Sequence, residues 1–271
     1  MEYALFDAHF HIIDPRYPLT PNRGYLPDAF TCTDYRQRMA NHKLKGGVVV
    51  SGSFQGFDQS YLISALQSLG SGFVGVTQLP AQVDDRELHR LDRAGVRGVR
   101  FNLYRGGSES VDELDRFARR VYEQLGWHVE LYLSGETLIS LESRLTDLPA
   151  VVIDHLGLTA EGGPALLRLA EKGVKVKACG FGRVDFPIEH RLRDLDAAHP
   201  GCLLFGTDLP STRAPRPFQE EDIERILGVL GEAAAERVLC DNARAFYQRD
   251  RSDSWGDLSS RETVSVPQRV N

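Results

Sequence analysis

The chain has 271 residues, 42% hydrophobic and 26% charged, an ordinary balance for a folded globular protein and enough to bury a large core. Its formal net charge is −6 with no basic run, which gives no support to nucleic-acid binding and leaves local arginines as the only means of holding an anion. No apolar run reaches membrane-spanning length, no basic-then-apolar leader opens the chain, and the four cysteines form no CxxC pair, so a cytoplasmic protein with reduced thiols is expected.

The first element is Phe6-Asp7-Ala8-His9-Phe10-His11-Ile12-Ile13-Asp14, with two histidines one residue apart. Strand side chains alternate between faces. The segment read as a strand therefore puts Asp7, His9 and His11 on one face and Phe6, Ala8, Phe10 and Ile12 on the other. Two imidazoles aimed at one point suggest a site, because imidazole is the commonest metal ligand and the commonest acid/base group near neutral pH. An HxH triplet also arises by chance, so its weight depends on what recurs downstream.

A loop over 14–30 follows, and Thr33 or Asp34 would cap a helix running to about residue 43. Strands are expected at 47–51, 73–77, 96–103, 128–133, 151–155, 174–179 and 202–208. Helices are expected at 61–69, 84–94, 111–125, 137–145, 164–172, 188–198, 220–230 and 233–246. Strands alternating with helices imply parallel pairing, and eight such units in this length most simply close as a (β/α)8 TIM barrel. A doubly wound open sheet would carry a Gly-rich turn after its first strand, where this chain has His-Phe-His. One barrel domain over 1–248 and a polar tail over 249–271 are expected.

Functional groups of such barrels lie at the C-terminal ends of the strands. Those ends supply His9 and His11, Ser51 and Ser53, Arg100 and Asn102 with Arg105 in the next loop, Asp154-His155, Arg183 after a glycine pair, and Gly206-Thr207-Asp208. Alternation in strand five would turn His128, Glu130 and Tyr132 inward, with His128 near the closed bottom and Tyr132 near the mouth. In strand seven it would turn Lys177 inward, where a buried ammonium needs a partner and Glu130 is the best candidate. His42, His89, His190 and His199 fall in helical or loop contexts and read as surface residues. Cys179 and Cys202 read as buried thiols.

Three of these stretches together, Phe6-Asp7-Ala8-His9-Phe10-His11, Ile153-Asp154-His155-Leu156-Gly157 and Phe205-Gly206-Thr207-Asp208-Leu209-Pro210, resemble the amidohydrolase superfamily. More narrowly they resemble its lactonase-like branch, which includes 2-pyrone-4,6-dicarboxylate lactonases and sugar lactonases. The resemblance covers about residues 3–247. It implies a distorted TIM barrel and hydrolysis of a lactone, of the kind met in aromatic catabolism, with His9, His11, His155 and Asp208 as catalytic residues. Binuclear members carry a strand-four lysine or acid and a strand-five histidine. Here strand four offers Arg100 and Asn102, so the resemblance implies at most one divalent metal such as zinc, held by His9, His11 and Asp208, or none. A basic residue in place of Leu158 would have helped hold a substrate carboxylate.

The expected chemistry is lactone opening with Asp208 as general base and the three histidines polarising the carbonyl. Arg100, Arg105 and Arg183 could fork onto a substrate carboxylate, with Ser51, Ser53 and Tyr132 as further hydrogen-bond donors. A small anionic substrate is the expected partner, and a homodimer is left open. Competing readings are a mononuclear-zinc decarboxylase or hydratase of the same superfamily and a non-catalytic small-molecule-binding barrel.

Overall fold

Eight apolar runs form eight parallel strands, hydrogen-bonded in chain order: β1 (Ala4–Phe10), β2 (Lys43–Val50), β3 (Phe73–Thr77), β4 (Val96–Asn102), β5 (His128–Tyr132), β6 (Val151–Ile153), β7 (Lys175–Ala178) and β8 (Leu203–Phe205). The helices between and after them are α1 (Cys32–Arg38), α2 (Ser60–Leu69), α3 (Asp85–Arg93), α4 (Leu114–Leu125), α5 (Gly135–Thr146), α6 (Gly163–Glu171), α7 (Ile188–Ala198) and α8 (Glu221–Leu230). The chain then runs through α9 (Glu232–Glu236), a π turn (Arg237–Asp241) and α10 (Asn242–Tyr247). This computed structural model describes residues 3–248, so the tail expected at 249–271 lies outside the described residues. The fold is the (β/α)8 barrel that the alternation implied. No helix among the described residues is long and apolar enough to cross a membrane.

The ladder runs unbroken from β1 to β8, and the ring is drawn shut at one end by bonds beyond β8. Asp208 N donates to the His9 carbonyl and His11 N to the Leu209 carbonyl, each at 2.7 Å. Thr207 adds its backbone N–H and its hydroxyl to the Asp7 carboxylate at 2.8 and 2.7 Å. An outer core between strands and helices holds Val99, Phe101, Leu131, Ile153 and Val176 against Leu88, Phe117 and Leu138. Full burial of each such side chain contributes about 2 kcal/mol. Inside the barrel, Phe6, Val48, Val50, Val76 and Leu204 form an apolar floor. Tyr247 of α10 closes it from below, its ring stacked at 6.1 Å on Phe6.

Three expectations about local structure are corrected. The first helix is capped by Thr31, not Thr33 or Asp34. Thr31 Oγ1 accepts from Asp34 N while the Asp34 carboxylate accepts from Thr31 N, and the helix ends at Arg38. This reciprocal pair satisfies two otherwise orphaned donors, so it fixes the start one turn before the apolar pattern shows it. The chain from Lys43 is therefore already strand. The single helix expected at 233–246 is interrupted by the π turn.

The third correction concerns β1. Asp7 pairs with Gly47 and Phe10 with Val49, three residues of β1 against two of β2. This bulge breaks the alternation. Phe6 and Ala8 face the barrel interior, while Phe10 and Ile12 join the outer core, with Phe10 stacked on Tyr35 at 3.8 Å. Asp7 does not share the face of His9 and His11; it turns outward to accept from the Tyr35 hydroxyl at 3.1 Å. The extra residue lets the strand carry floor residues first and two inward histidines afterwards.

Candidate active site

Above the apolar floor lies a buried ionic layer. Lys177 Nζ is 2.5 Å from Glu130 Oε2, so the expected inward pair is present, and both side chains are fully buried. His128 stands lower, 3.8 Å from Glu130 and edge-on to Tyr247, near the closed bottom as its register implied. Arg100 holds Asp154 through Nη2 at 2.7 Å and donates Nη1 to the Ser51 carbonyl at 3.0 Å. Glu130, Asp154, Lys177 and Arg100 balance two negative charges with two positive ones, the condition under which such a layer is tolerated without water. Burial alone would raise Asp154, but Arg100, His9 and Lys177 hold its carboxyl well below the usual range.

His9 rests on this layer. Its Nδ1 is 3.2 Å from Lys177 Nζ and 3.3 Å from Asp154 Oδ1. Burial, followed by the Lys177 and Arg100 charges, keeps the ring well below the usual histidine value against the pull of Asp154. His11 Nδ1 is 2.7 Å from the Val50 carbonyl, which can only accept, so Nδ1 carries the hydrogen and Nε2 presents its lone pair. Burial and the Arg100 charge push His11 down to about 3. His155 Nδ1 lies 3.1 Å from the Cys179 thiol, and burial with the charges of its neighbours also keeps this ring well below the usual value. All three imidazoles are therefore neutral near pH 7, suited to donating lone pairs or polarising a carbonyl.

Asp208 completes the cluster. Arg183 Nε anchors Oδ2 at 2.6 Å, while Oδ1 is 3.9 Å from both His9 Nε2 and His11 Nε2. Oδ1 and His9 Nε2 are buried and lack a hydrogen-bond partner among the described residues, and they face each other. Burial raises the Asp208 carboxyl above its ordinary value against Arg183 and Arg100. His9, His11 and Asp208 offer three donor atoms to one point; His9, Asp154 and His155 make a second such group.

The local backbone explains why these groups converge. The last strands end early, so Asp154, His155, Thr207 and Asp208 occupy turns, not the strand ends expected at 151–155 and 202–208. His155 and Asp208 take φ of +50° and +61°, and Leu156 and Leu158 are also left-handed. Such conformations cost on the order of 1–3 kcal/mol each and persist where the surroundings fix them. Two glycines make the room: a Cβ on Gly206 would fall 2.8 Å from His9 Cβ, and one on Gly180 would fall 2.5 Å from His155 Nδ1.

His11, His155 and Asp208 of this cluster line one wall of a cleft, with His9 buried behind them. Ser53, Arg100, Arg105, Arg183 and Tyr132, read from the sequence as candidate substrate-binding residues, are among the residues that line it. Tyr132 sits between His155 and Tyr104, with ring centroids 5.0 and 5.3 Å away. Ser51 is a correction: its hydroxyl is used by Tyr61 at 2.6 Å and its carbonyl by Arg100, so it is part of the wall behind the cleft. Arg100 and Arg183 reach the cleft while already bound to Asp154 and Asp208. Leu158 is buried and is not among the lining residues. Sequence reasoning passed over Asp154 as a hub, although it stands in the Asp-His motif. It also missed Phe54, Thr212 and Arg213, which line the cleft from loops after β2 and β8. The strand-end rule extended to whole loops would have found them.

Comparison with known proteins places this geometry in context. The model of the family described as Amidohydrolase matches residues 6–249. The chain is 37% identical over 158 residues to a 2-pyrone-4,6-dicarboxylate hydrolase of Comamonas testosteroni, a match covering 56% of this chain and 51% of that protein. The match thus spans about half that relative's length. It is 30% identical over 265 residues to a 4-sulfomuconolactone hydrolase of Hydrogenophaga intermedia, covering 94% of this chain and 80% of the relative. In fold it is similar to a crystal structure from Agrobacterium tumefaciens, with TM-score 0.80, 24% identity and coverage of 91% and 96% of the two chains.

Proposed function

The chain belongs to the amidohydrolase family, and from that premise we propose that it hydrolyses a lactone of an anionic small molecule, with Asp208 as general base. The relatives named as hydrolases of a pyrone dicarboxylate and a sulfomuconolactone support this substrate class. The observation that carries the reading is Asp208 itself, with one oxygen anchored by Arg183 and the other buried, unpaired and facing two neutral imidazoles. A water beside Oδ1 gives its proton to Asp208 as its oxygen bonds to the lactone carbonyl carbon. His155 and the guanidinium of Arg100 face the developing oxyanion from the cleft wall. Collapse of the intermediate breaks the ring C–O bond, and the proton on Asp208 passes to the departing ring oxygen, giving the open hydroxy or enol acid.

The donor set also fits one divalent cation such as zinc: His9 Nε2, His11 Nε2 and Asp208 Oδ1 converge, and two of the three have no other partner. When bound there, such an ion would polarise the carbonyl and acidify a water. A second metal finds no strand-five histidine at the mouth, since His128 stands near the floor.

The test is a panel of pyrone, muconate and sugar lactones, including 2-pyrone-4,6-dicarboxylate, assayed with and without chelator alongside metal analysis of the purified protein. Ring opening of an anionic lactone is the expected result. Inertness towards the whole panel, with or without added zinc, would sink the reading.

A further inference from the structure

The cleft contains four arginines in two electrostatic states. Arg100 and Arg183 are neutralised by Asp154 and Asp208. Arg105, in the loop after β4, and Arg213, in the loop after β8, also line the cleft, and among the described residues neither pairs with a carboxylate. Two positive charges at one opening without an acid between them are unfavourable unless something else answers them. Burial and then the nearby Arg105 charge lower the Arg213 pKa.

Arg213 is held by its side chain and Arg105 by its backbone. Arg213 Nη2 donates to Asn22 Oδ1 at 3.1 Å, and its guanidinium lies 4.3 Å from the Tyr25 ring centroid. The same Asn22 donates Nδ2 to the Arg105 carbonyl at 3.3 Å. Asn22 and Tyr25 are themselves tied by reciprocal backbone bonds at 3.0 and 3.1 Å. One asparagine amide therefore joins the loops after β1, β4 and β8 at the point where the unanswered charge sits. Arg213 takes φ of +57°, a conformation unfavourable for a side-chain-bearing residue and sustained here by these contacts.

Resting on the lactonase reading above, we propose that Arg213 and Arg105 form a prebuilt subsite for an oxyacid group, carboxylate or sulfonate, carried by the substrate away from the ester being cleaved, and that Asn22 and Tyr25 are its positioning residues. With Leu158 offering no cation after β6, the β8 loop supplies the charge instead. A planar guanidinium accepts such a group through two parallel N–H donors, and preorganisation by stacking lowers the ordering cost of binding.

The experiment needs no turnover. Isophthalate and benzoate, a flat ring with two carboxylates and one with a single carboxylate, are titrated calorimetrically into the unaltered protein and into Arg213→Gln, Arg213→Lys and Asn22→Ala. The unaltered protein should prefer isophthalate, and Arg213→Gln should weaken isophthalate by about tenfold or more, narrowing the preference. Arg213→Lys should recover part of it, and Asn22→Ala should lose part with every charge intact. In turnover of an anionic lactone, Arg213→Gln should raise KM far more than it lowers kcat. An isophthalate preference unchanged in Arg213→Gln, or no preference in the unaltered protein, would overturn the subsite. Lactone turnover without the preference refutes the subsite alone, and the preference without turnover of any lactone refutes the reaction alone.

Discussion

Asp208 is the residue on which the proposed chemistry turns. Replacing it with Asn keeps its shape and an acceptor oxygen near Arg183 but removes the base. The expected outcome is loss of ~10²–10⁴-fold in kcat with little change in melting temperature, read by steady-state kinetics beside thermal denaturation. Because burial raises its pKa above the ordinary 3.8, kcat/KM should fall as pH falls through an inflection above that value. Asp7, two residues before His9, titrates in a different role. Burial raises it to about 6 despite the hydrogen bonds from Thr207, His9 and Tyr35. The folded state thus holds this proton more tightly than the unfolded chain. Its contribution to stability is full below the ordinary value and is lost as pH rises through about 6. Relative to Asp7→Asn, the unaltered protein should lose up to ~3 kcal/mol of unfolding free energy between pH 4 and pH 7. Urea titrations at the two pH values check this, and a pH-independent difference would refute it.

Among the elements, β5 and β7 were legible from the sequence because each alternates cleanly. Val129 and Leu131 outward force Glu130 inward, and Val176 outward forces Lys177 inward to meet it. Substituting Lys177 by Met removes one of the two cations of this dry layer, leaving Glu130 and Asp154 to share Arg100, which is 3.7 Å from Glu130, and should cost ~3–5 kcal/mol. Adding Glu130→Gln should recover much of that loss, measured as a double-mutant cycle in denaturant. The β1 segment was misread for a physical reason. Alternation assumes an unbroken pleat, and the bulge between Asp7 and Phe10 has no signature in residue type. The early ends of β6 and β8 were equally hidden, because each apolar run passes in sequence straight into Asp-His-Leu-Gly or Gly-Thr-Asp with no breaker between, while the backbone leaves the strand and turns left-handed at His155 and at Asp208. The residue types of the site were therefore readable from one chain, whereas their orientations depend on where each strand stops. Long-range partnerships such as Asn22 with Arg213 leave no local pattern at all.

At the scale of the whole molecule, the barrel separates stability from chemistry along its axis. The floor under Phe6 and Tyr247 is apolar and sealed, the ionic layer lies above it, and the cleft opens at the other end. The seam between β8 and β1 is the exception. There the ring is fastened by Asp208 N on the His9 carbonyl and His11 N on the Leu209 carbonyl, so three residues of the proposed catalytic cluster are also the clasp of the cylinder. Native proteins open locally at free energies below that of global unfolding. Partial unclasping here separates His9 and His11 from Asp208 while the other seven strand pairings stay formed. Activity should therefore vanish at a lower urea concentration than far-ultraviolet circular dichroism, and the amide protons of His11 and Asp208 should exchange faster than those of β4 and β5. Coincident loss of activity and helicity would show instead that the enzyme fails only as a unit. On this account, inactivation begins with the parting of two strands that the polypeptide visits first and last.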